Sequence, residues 1–211
     1  MAQYKITQSL LNSWNYAYSC HEECFDSAIQ SFLCALRCEQ EVLSEEQQEK
    51  IDNGKAFENM VYASASGLPC EINKKWERGI SQIVDIVKGA QFQVRIHKPI
   101  TVNGMRFEIH GVLDALRSGV IYDIKFKNTS FNSEKCNPVG AHLYSPQHPF
   151  YFYLVPSAEK FIYVISDGDD IYLEQYLPEE TVSAEKIISE FMRFLESSNL
   201  MDEYKTHWQI T

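Results

Sequence analysis

The chain has 211 residues, of which 45% are hydrophobic, 23% charged and 13% aromatic, a composition for one globular domain and not for a disordered chain. Its longest apolar runs, such as Phe150–Val155, fall far short of the ~20 residues of a membrane span, and Met1–Lys5 lacks the features of a secretory signal, which predicts a cytoplasmic protein. The net charge of −10, taken as a sum, argues against a nucleic-acid partner.

Along the chain, Ser9, Leu10 and Leu11 open a helical stretch carrying Trp14, Tyr16 and Tyr18. Phe25, Ala28, Ile29, Phe32, Leu33 and Leu36 then recur at helical spacing. Ser44 with Gln47 three residues on reads as a capping box, opening a helix to about Ala63 that ends near Gly67-Leu68-Pro69. Gln91–Ile100, Met105–Leu116 and Gly119–Phe126 alternate with period two. Asn103-Gly104 and Ser118-Gly119 between them predict a three-stranded antiparallel meander. After a polar loop over Asn128–Asn137, Ser145-Pro146 reads as an N-cap with proline at the first helical position, and the helix continues to about Val155. Two strands, Lys160–Ser166 and Ile171–Leu177, flank Asp167-Gly168-Asp169-Asp170, and an amphipathic helix covers Pro178–Ser198. This order predicts a layered α/β (α+β) domain over 1–211: a helical part at 1–70, a sheet core at 90–177 and a C-terminal helix at 178–198.

Charge and cysteine are unevenly spread. Residues 72–137 hold eleven bases and six acids, a balance of +5, while the rest of the chain stands at −15. Such asymmetry fits an anionic partner, and equally a charged strand face balanced by acidic helices. The six cysteines predict reduced thiols. Cys20/Cys24 and Cys34/Cys38 are i,i+4 pairs; on helices each pair shares a face, open either to a metal or to plain packing of a helix seam.

The chemistry concentrates in His110–Lys125. A two-residue turn at Ser118-Gly119 pairs Arg117 with Val120 and sets Asp114 opposite Asp123 on one sheet face, with Lys125 beside them. Two facing carboxylates repel and invite a compensating cation; a hard divalent ion fits them, and a neighbouring lysine suits a phosphate or a water. A surface Asp/Asp/Lys cluster is the alternative, and a one-residue change of turn length would separate the two aspartates.

Asp114 followed by Asp123-Ile124-Lys125 resembles the PD-(D/E)XK nuclease superfamily. Gly54-Lys55-Ala56-Phe57-Glu58 is similar to the Gly-x-x-x-Glu helix motif of its lambda-exonuclease-like and RecB-like branches. Gln147-His148-Pro149-Phe150-Tyr151 is similar to the Gln-x-x-x-Tyr motif of the RecB-type subgroup, and Ile6–Trp14 looks like the opening helix. The resemblance runs from about residue 4 to 177. It implies a restriction-endonuclease-like core with a central mixed sheet, and one or two Mg²⁺ or Mn²⁺ ions held by Glu58, Asp114, Asp123 and the Ile124 carbonyl. It further implies that Lys125 positions the attacking water and that Gln147 and Tyr151 contact the substrate strand. The activity implied is DNA phosphodiester hydrolysis leaving a 5′-phosphate and a 3′-hydroxyl, in a stand-alone exonuclease of the phage or mobile-element recombination and repair type. DNA ends are the expected partner, with a homo-oligomer or a recombination protein as further candidates.

The chain also departs from the pattern. No cysteine follows Cys136, so the iron–sulfur cluster of some relatives cannot be built as they build it, and no P-loop motor motif occurs in the chain. His110, four residues before Asp114, is a candidate additional ligand or phosphate contact, or a hydrogen-bonded strand histidine. Three rivals stay open: an endonuclease or RNA-acting enzyme of this fold, a catalytically silent nucleic-acid- or protein-binding module, and a zinc- or cluster-binding protein built on Cys20, Cys24, Cys34 and Cys38.

Overall fold

The computed structural model describes residues 3–20, 24–133 and 137–210. Its strands are β1 (Gln3–Thr7), β2 (Gln91–Val102), β3 (Met105–Arg117), β4 (Val120–Phe126), β5 (Lys160–Ser166), β6 (Ile171–Tyr176) and β7 (Gln209–Ile210). Its helices are α1 (Gln8–Ser19), α2 (Phe25–Leu36), α3 (Glu45–Ala65), α4 (Glu77–Val87), α5 (Gln147–Leu154), α6 (Ala184–Ser197) and α7 (Met201–Trp208). The strands form one seven-stranded mixed sheet in the order β6-β5-β4-β3-β1-β7, with β2 also paired to β3. This is the layered α+β architecture expected, with the sheet flanked by helices.

Strand alternation sorts the core onto two sheet faces. Ile121, Phe161, Tyr163 and Ile165 pack with α1, α2, α5, α6 and α7 through Leu10, Phe32, Phe150, Phe191 and Tyr204. Tyr122, Ile124 and Val164 pack on the other face with Phe57 and Val61 of α3 and Ile80, Ile83 and Val87 of α4. Each fully buried apolar side chain of this kind contributes about 1.5–3 kcal/mol over leaving it exposed.

The capping box forms as expected: the Ser44 side chain accepts the Gln47 N–H and the Gln47 side chain accepts the Ser44 N–H. Both tight turns form, with Val102 opposite Met105 and Arg117 opposite Val120. Other expectations need correction. Ile6 and Thr7, read as the start of the opening helix, belong instead to β1, and residues 3–5 were given no element; α1 starts at Gln8, where the Thr7 side chain accepts the Leu10 N–H. The residues between Pro69 and Gln91, given no element, contain α4, whose Ile80, Ile83 and Val87 lie on one face. There Gly79 lets α4 approach the β5–β6 turn: its N–H donates to the Gly168 carbonyl (3.0 Å), and a Cβ would stand 2.5 Å from Ser166 Oγ. Ser145 is one residue too early to cap α5; Pro146 is the N-cap, although the Gln147 N–H still donates to Ser145 Oγ. The helix placed at Pro178–Ser198 is a 3-10 turn at Pro178–Glu180 followed by α6, which Ser183 caps, and α7 and β7 follow it unforeseen.

One irregularity shapes the middle of the sheet. The β2–β3 ladder pairs Phe92 with Ala115 and Val94 with Leu113 but skips Gln93 and Asp114. Gln93 has φ +52°. Phe92 and Ala115 contact the α3/α4 core, whereas Val94 and Leu113 contact the other, so both strands switch face at this point.

Candidate active site

β3 carries β2 along one edge and two shorter partners along the other. β1 runs parallel to it and ends with Thr7 opposite His110; β4 runs antiparallel and pairs only from Arg117↔Val120 to Ala115↔Tyr122. Residues 111–114 therefore have no strand beside them on that edge, and the C-terminal ends of β1 and β4 point into the notch from opposite directions. A break of this kind in an open sheet is where ligands are usually received.

The pairing expected for Asp114 and Asp123 stops one step short of them. In its place Asp114 Oδ2 accepts the Ile124 N–H at 2.9 Å, so the side chain takes over from the ladder. Asp123 is buried. Lys125 Nζ lies 2.6 Å from its Oδ2, and the Gln147 side-chain amide donates to its Oδ1. Glu58 is half-buried on α3 and enters the same field from the opposite face. Four predicted site residues, Asp114, Asp123, Lys125 and Gln147, thus meet at the notch, and Glu58 of α3 lies within electrostatic reach of them.

Electrostatics bind them into one group. Burial, then the nearby Asp123 charge, raises the Asp114 carboxyl to about 7; Lys125 opposes the shift and Glu58 adds to it. Asp123 is raised by burial against the opposing pull of Lys125 and Gln147. Glu58 is raised by burial, Lys125 working against it and Asp123 with it. Burial by itself would lower the Lys125 ammonium, but Asp123, Asp114 and Glu58 outweigh it and hold the lysine charged. Three carboxyls and one ammonium leave negative charge uncompensated in a region of low dielectric.

The remaining predicted residues sit differently. Tyr151 is 3% exposed and turned inward, its hydroxyl donating to the Val112 carbonyl at 2.7 Å. Gln147 is also buried and spent on Asp123, so neither residue offers a free polar end to a substrate in this arrangement. His110 does not join the carboxylates; it stacks on His97 and shares Glu108 with it. Neither cysteine pair lies within one helix: Cys20 and Cys24 cap different helices, and Cys38 lies beyond α2 with φ +56°. Cys20, Cys24, Cys34, Cys38 and Cys70 are free thiols, and Cys136 lies outside the described residues.

Three contributors went unread in the sequence. Tyr62 of α3 buries its hydroxyl close to Asp114 and Glu58, and burial followed by those two charges raises it strongly. Gln93 is skipped with Asp114 at the switch of faces. Gly111 admits α5: a Cβ there would stand 2.6 Å from Leu154 Cδ1 and 2.8 Å from Tyr151 Cε1. Of these only the glycine left a signal, as the one side-chain-free position in an alternating strand.

Among the described residues no three His, Cys, Asp or Glu side chains stand in a ready metal-ligating arrangement. Lys125 Nζ stands against Asp123 Oδ2, an oxygen that has no hydrogen bond otherwise among the described residues. The donor chemistry nonetheless fits a hard divalent ion, since the converging groups are carboxylates with excess negative charge.

No protein-family profile and no curated protein matches the chain. A solved structure described as "Crystal structure of SSO0001" is similar over 93% of this chain and 76% of its own, at 19% identity and a TM-score of 0.50. That likeness is one of fold.

Proposed function

We propose that this chain is a divalent-metal-dependent deoxyribonuclease of the PD-(D/E)XK type, built on a restriction-endonuclease-like core and acting as an exonuclease on DNA. The observation that carries the reading is the convergence of Glu58, Asp114, Asp123 and Lys125, from three separate elements, at the break in the sheet. Buried like charges are costly, and a fold that assembles them without a full set of counter-charges fits one that binds a cation there. Mg²⁺ or Mn²⁺ held by Glu58, Asp114, Asp123 and the Ile124 carbonyl would supply Lewis-acid stabilisation of charge on the phosphate and a more acidic water.

The protein's own groups divide the remaining work. The Lys125 ammonium, on β4 beside Asp123, orients the attacking water and balances charge on the phosphoryl oxygens. Gln147 fixes the Asp123 carboxylate, and Tyr151 pins α5 to β3 through Val112, so both set the position of the ligands.

The test is incubation of the purified chain with end-labelled linear DNA, circular DNA and RNA, each with Mg²⁺, Mn²⁺ or chelator. The expected result is metal-dependent release of nucleotides from linear DNA, with circular DNA and RNA spared. Cleavage that survives chelation, or that persists in Asp123→Ala, would overturn the reading.

A further inference from the structure

Beside the notch, on the side away from β4, no helix of the described residues covers the outward face of β1, β3 and β2, where Lys5, Arg95, His97 and Val112 are exposed. Strand register arranges its outward side chains in rows. Lys5, Glu108 and Pro99 form one row, Thr7, His110 and His97 the next, and Val112 and Arg95 the third. The row after that holds Asp114 and Gln93, at the switch of faces. Successive rows stand two residues apart, ~7 Å along the strands.

The composition of this grid is unusual for an open sheet face. Lys5, Arg95 and His97 are exposed and His110 is half-exposed. The acid facing them is Glu108, which sits in the row farthest from the notch and is already engaged by Gln3 (3.2 Å) and His97 (2.8 Å). The two imidazole rings stack at 5.7 Å, next to Lys5 and Arg95. Together with the start of α1 and the edge of Tyr151, these side chains line a cleft of about 560 Å³. It lies next to the carboxylate cluster: Val112 of its lining stands two residues before Asp114 on β3.

We infer that this cleft is a phosphate-binding subsite, in which Lys5, Arg95, His97 and His110 hold the backbone of one DNA strand leading to the carboxylate cluster. The inference deepens the nuclease reading and rests on it for the direction of the strand. The grid supplies two cations, Lys5 and Arg95, with the imidazoles of His110 and His97 between them as hydrogen-bonding groups; burial and then Lys5 lower His110, so the charge comes from the lysine and the arginine. A strand bound this way is held by charge and not by base edge, so the subsite is indifferent to sequence. It also gives the basic middle of an acidic chain a definite task.

The test measures binding of a fluorescent single-stranded 20-mer to the full-length chain by anisotropy, in chelator, across a salt series. Lys5→Glu and Arg95→Glu are compared with wild type and with Arg193→Glu, an exposed site on α6 remote from the cleft. Each cleft variant is expected to weaken binding about tenfold. Each should also flatten the log–log salt dependence by about 0.7 for every phosphate that is no longer neutralised, while Arg193→Glu matches wild type. Thermal melts establish that the variants are folded. Affinities and slopes of both cleft variants equal to wild type, or no binding by wild type, would overturn the subsite. Equal binding alongside metal-dependent cleavage overturns the subsite alone. Binding that depends on Lys5 and Arg95, with no cleavage under any metal, overturns the nuclease reading and leaves the subsite standing.

Discussion

Two buried polar clusters flank α5, and adjacent residues of that helix serve one each. Gln147 turns to Asp123 and the carboxylates; His148 turns to Tyr163 (3.2 Å) and stacks on Tyr176 with ring centroids 4.0 Å apart. The second cluster also contains His142, stacked on Tyr163 at 4.1 Å, and Glu174, which accepts from the Tyr176 hydroxyl and the His142 backbone. Burial lowers both histidines to about 4, with Lys125 and Lys127 adding to the effect at His142. These imidazoles are therefore neutral at physiological pH and escape the cost of a buried charge. The carboxylate cluster has no such escape: three acids share one lysine, and relief comes only from a proton or a cation. Both regions bury carboxylate, but Glu174 stands alone among the described residues of its cluster, held by the Tyr176 hydroxyl and the His142 N–H, whereas Asp114, Asp123 and Glu58 crowd around one ammonium.

The largest expected effect breaks the comparison most cleanly. Asp114→Ala, Asp123→Ala and Lys125→Ala should each reduce Mg²⁺-dependent cleavage by about 10³-fold or more while the fold persists. Tyr163→Phe, in the histidine–tyrosine cluster, should leave cleavage near wild type. Loss of activity in Tyr163→Phe alone would reverse the assignment of roles.

Metal and protons should compete for the same site. Mn²⁺ at about 100 times its Kd should stabilise the protein by ~2.7 kcal/mol, an upward shift of roughly 5–11 °C in Tm that disappears in Asp123→Asn. In the metal-free protein the raised Asp114 pKa works in the opposite sense. Between its unfolded value, near 4, and about 7 the native state binds the extra proton, so stability falls as pH rises through that window. Asp114→Asn keeps an acceptor for Ile124 and removes the charge. It should raise metal-free stability by about 1–3 kcal/mol at pH 8 and by less at pH 4. Thermal melts at the two pH values measure this directly.

How much of this was legible depended on whether a local pattern or a remote partner decided each feature. Asn103-Gly104, Ser118-Gly119 and the Ser44/Gln47 box speak through their own turn or cap, and each formed as read. β1 is five residues long and takes its identity from β3 and β7, which are remote in sequence; alone, it reads as the approach to α1. The apolar residues of α4 have helical spacing, but the segment lacks the side-chain cap that announced α3. Asp114, Asp123 and Lys125 stood out by residue type and turn spacing, whereas Glu58 and Gln147 were picked out only by motifs that resemble those of the nuclease superfamily. Tyr62 and Gln93 were not, because an ordinary helix tyrosine and a strand glutamine acquire their place only when α3 closes over the switch in β2 and β3.

Two smaller effects sharpen the comparison. Gly111→Ala places a methyl group against Leu154 and Tyr151 and should cost about 1–3 kcal/mol. Since α5 supplies Gln147, cleavage should fall with it, as urea unfolding and activity measured in parallel would reveal. Tyr163→Phe removes one buried hydrogen bond and should cost about 0.5–1.5 kcal/mol, with the metal-induced rise in Tm intact.

The central claim is that the notch between β1 and β4 is a divalent-cation site kept waiting by Lys125. Calorimetric titration of Mn²⁺ into the metal-free protein near pH 7, in two buffers of different ionisation enthalpy, tests it most directly. Saturable binding with proton release in wild type, abolished in Asp123→Asn, is the predicted result. No binding by wild type, or equal binding by the variant, would contradict it.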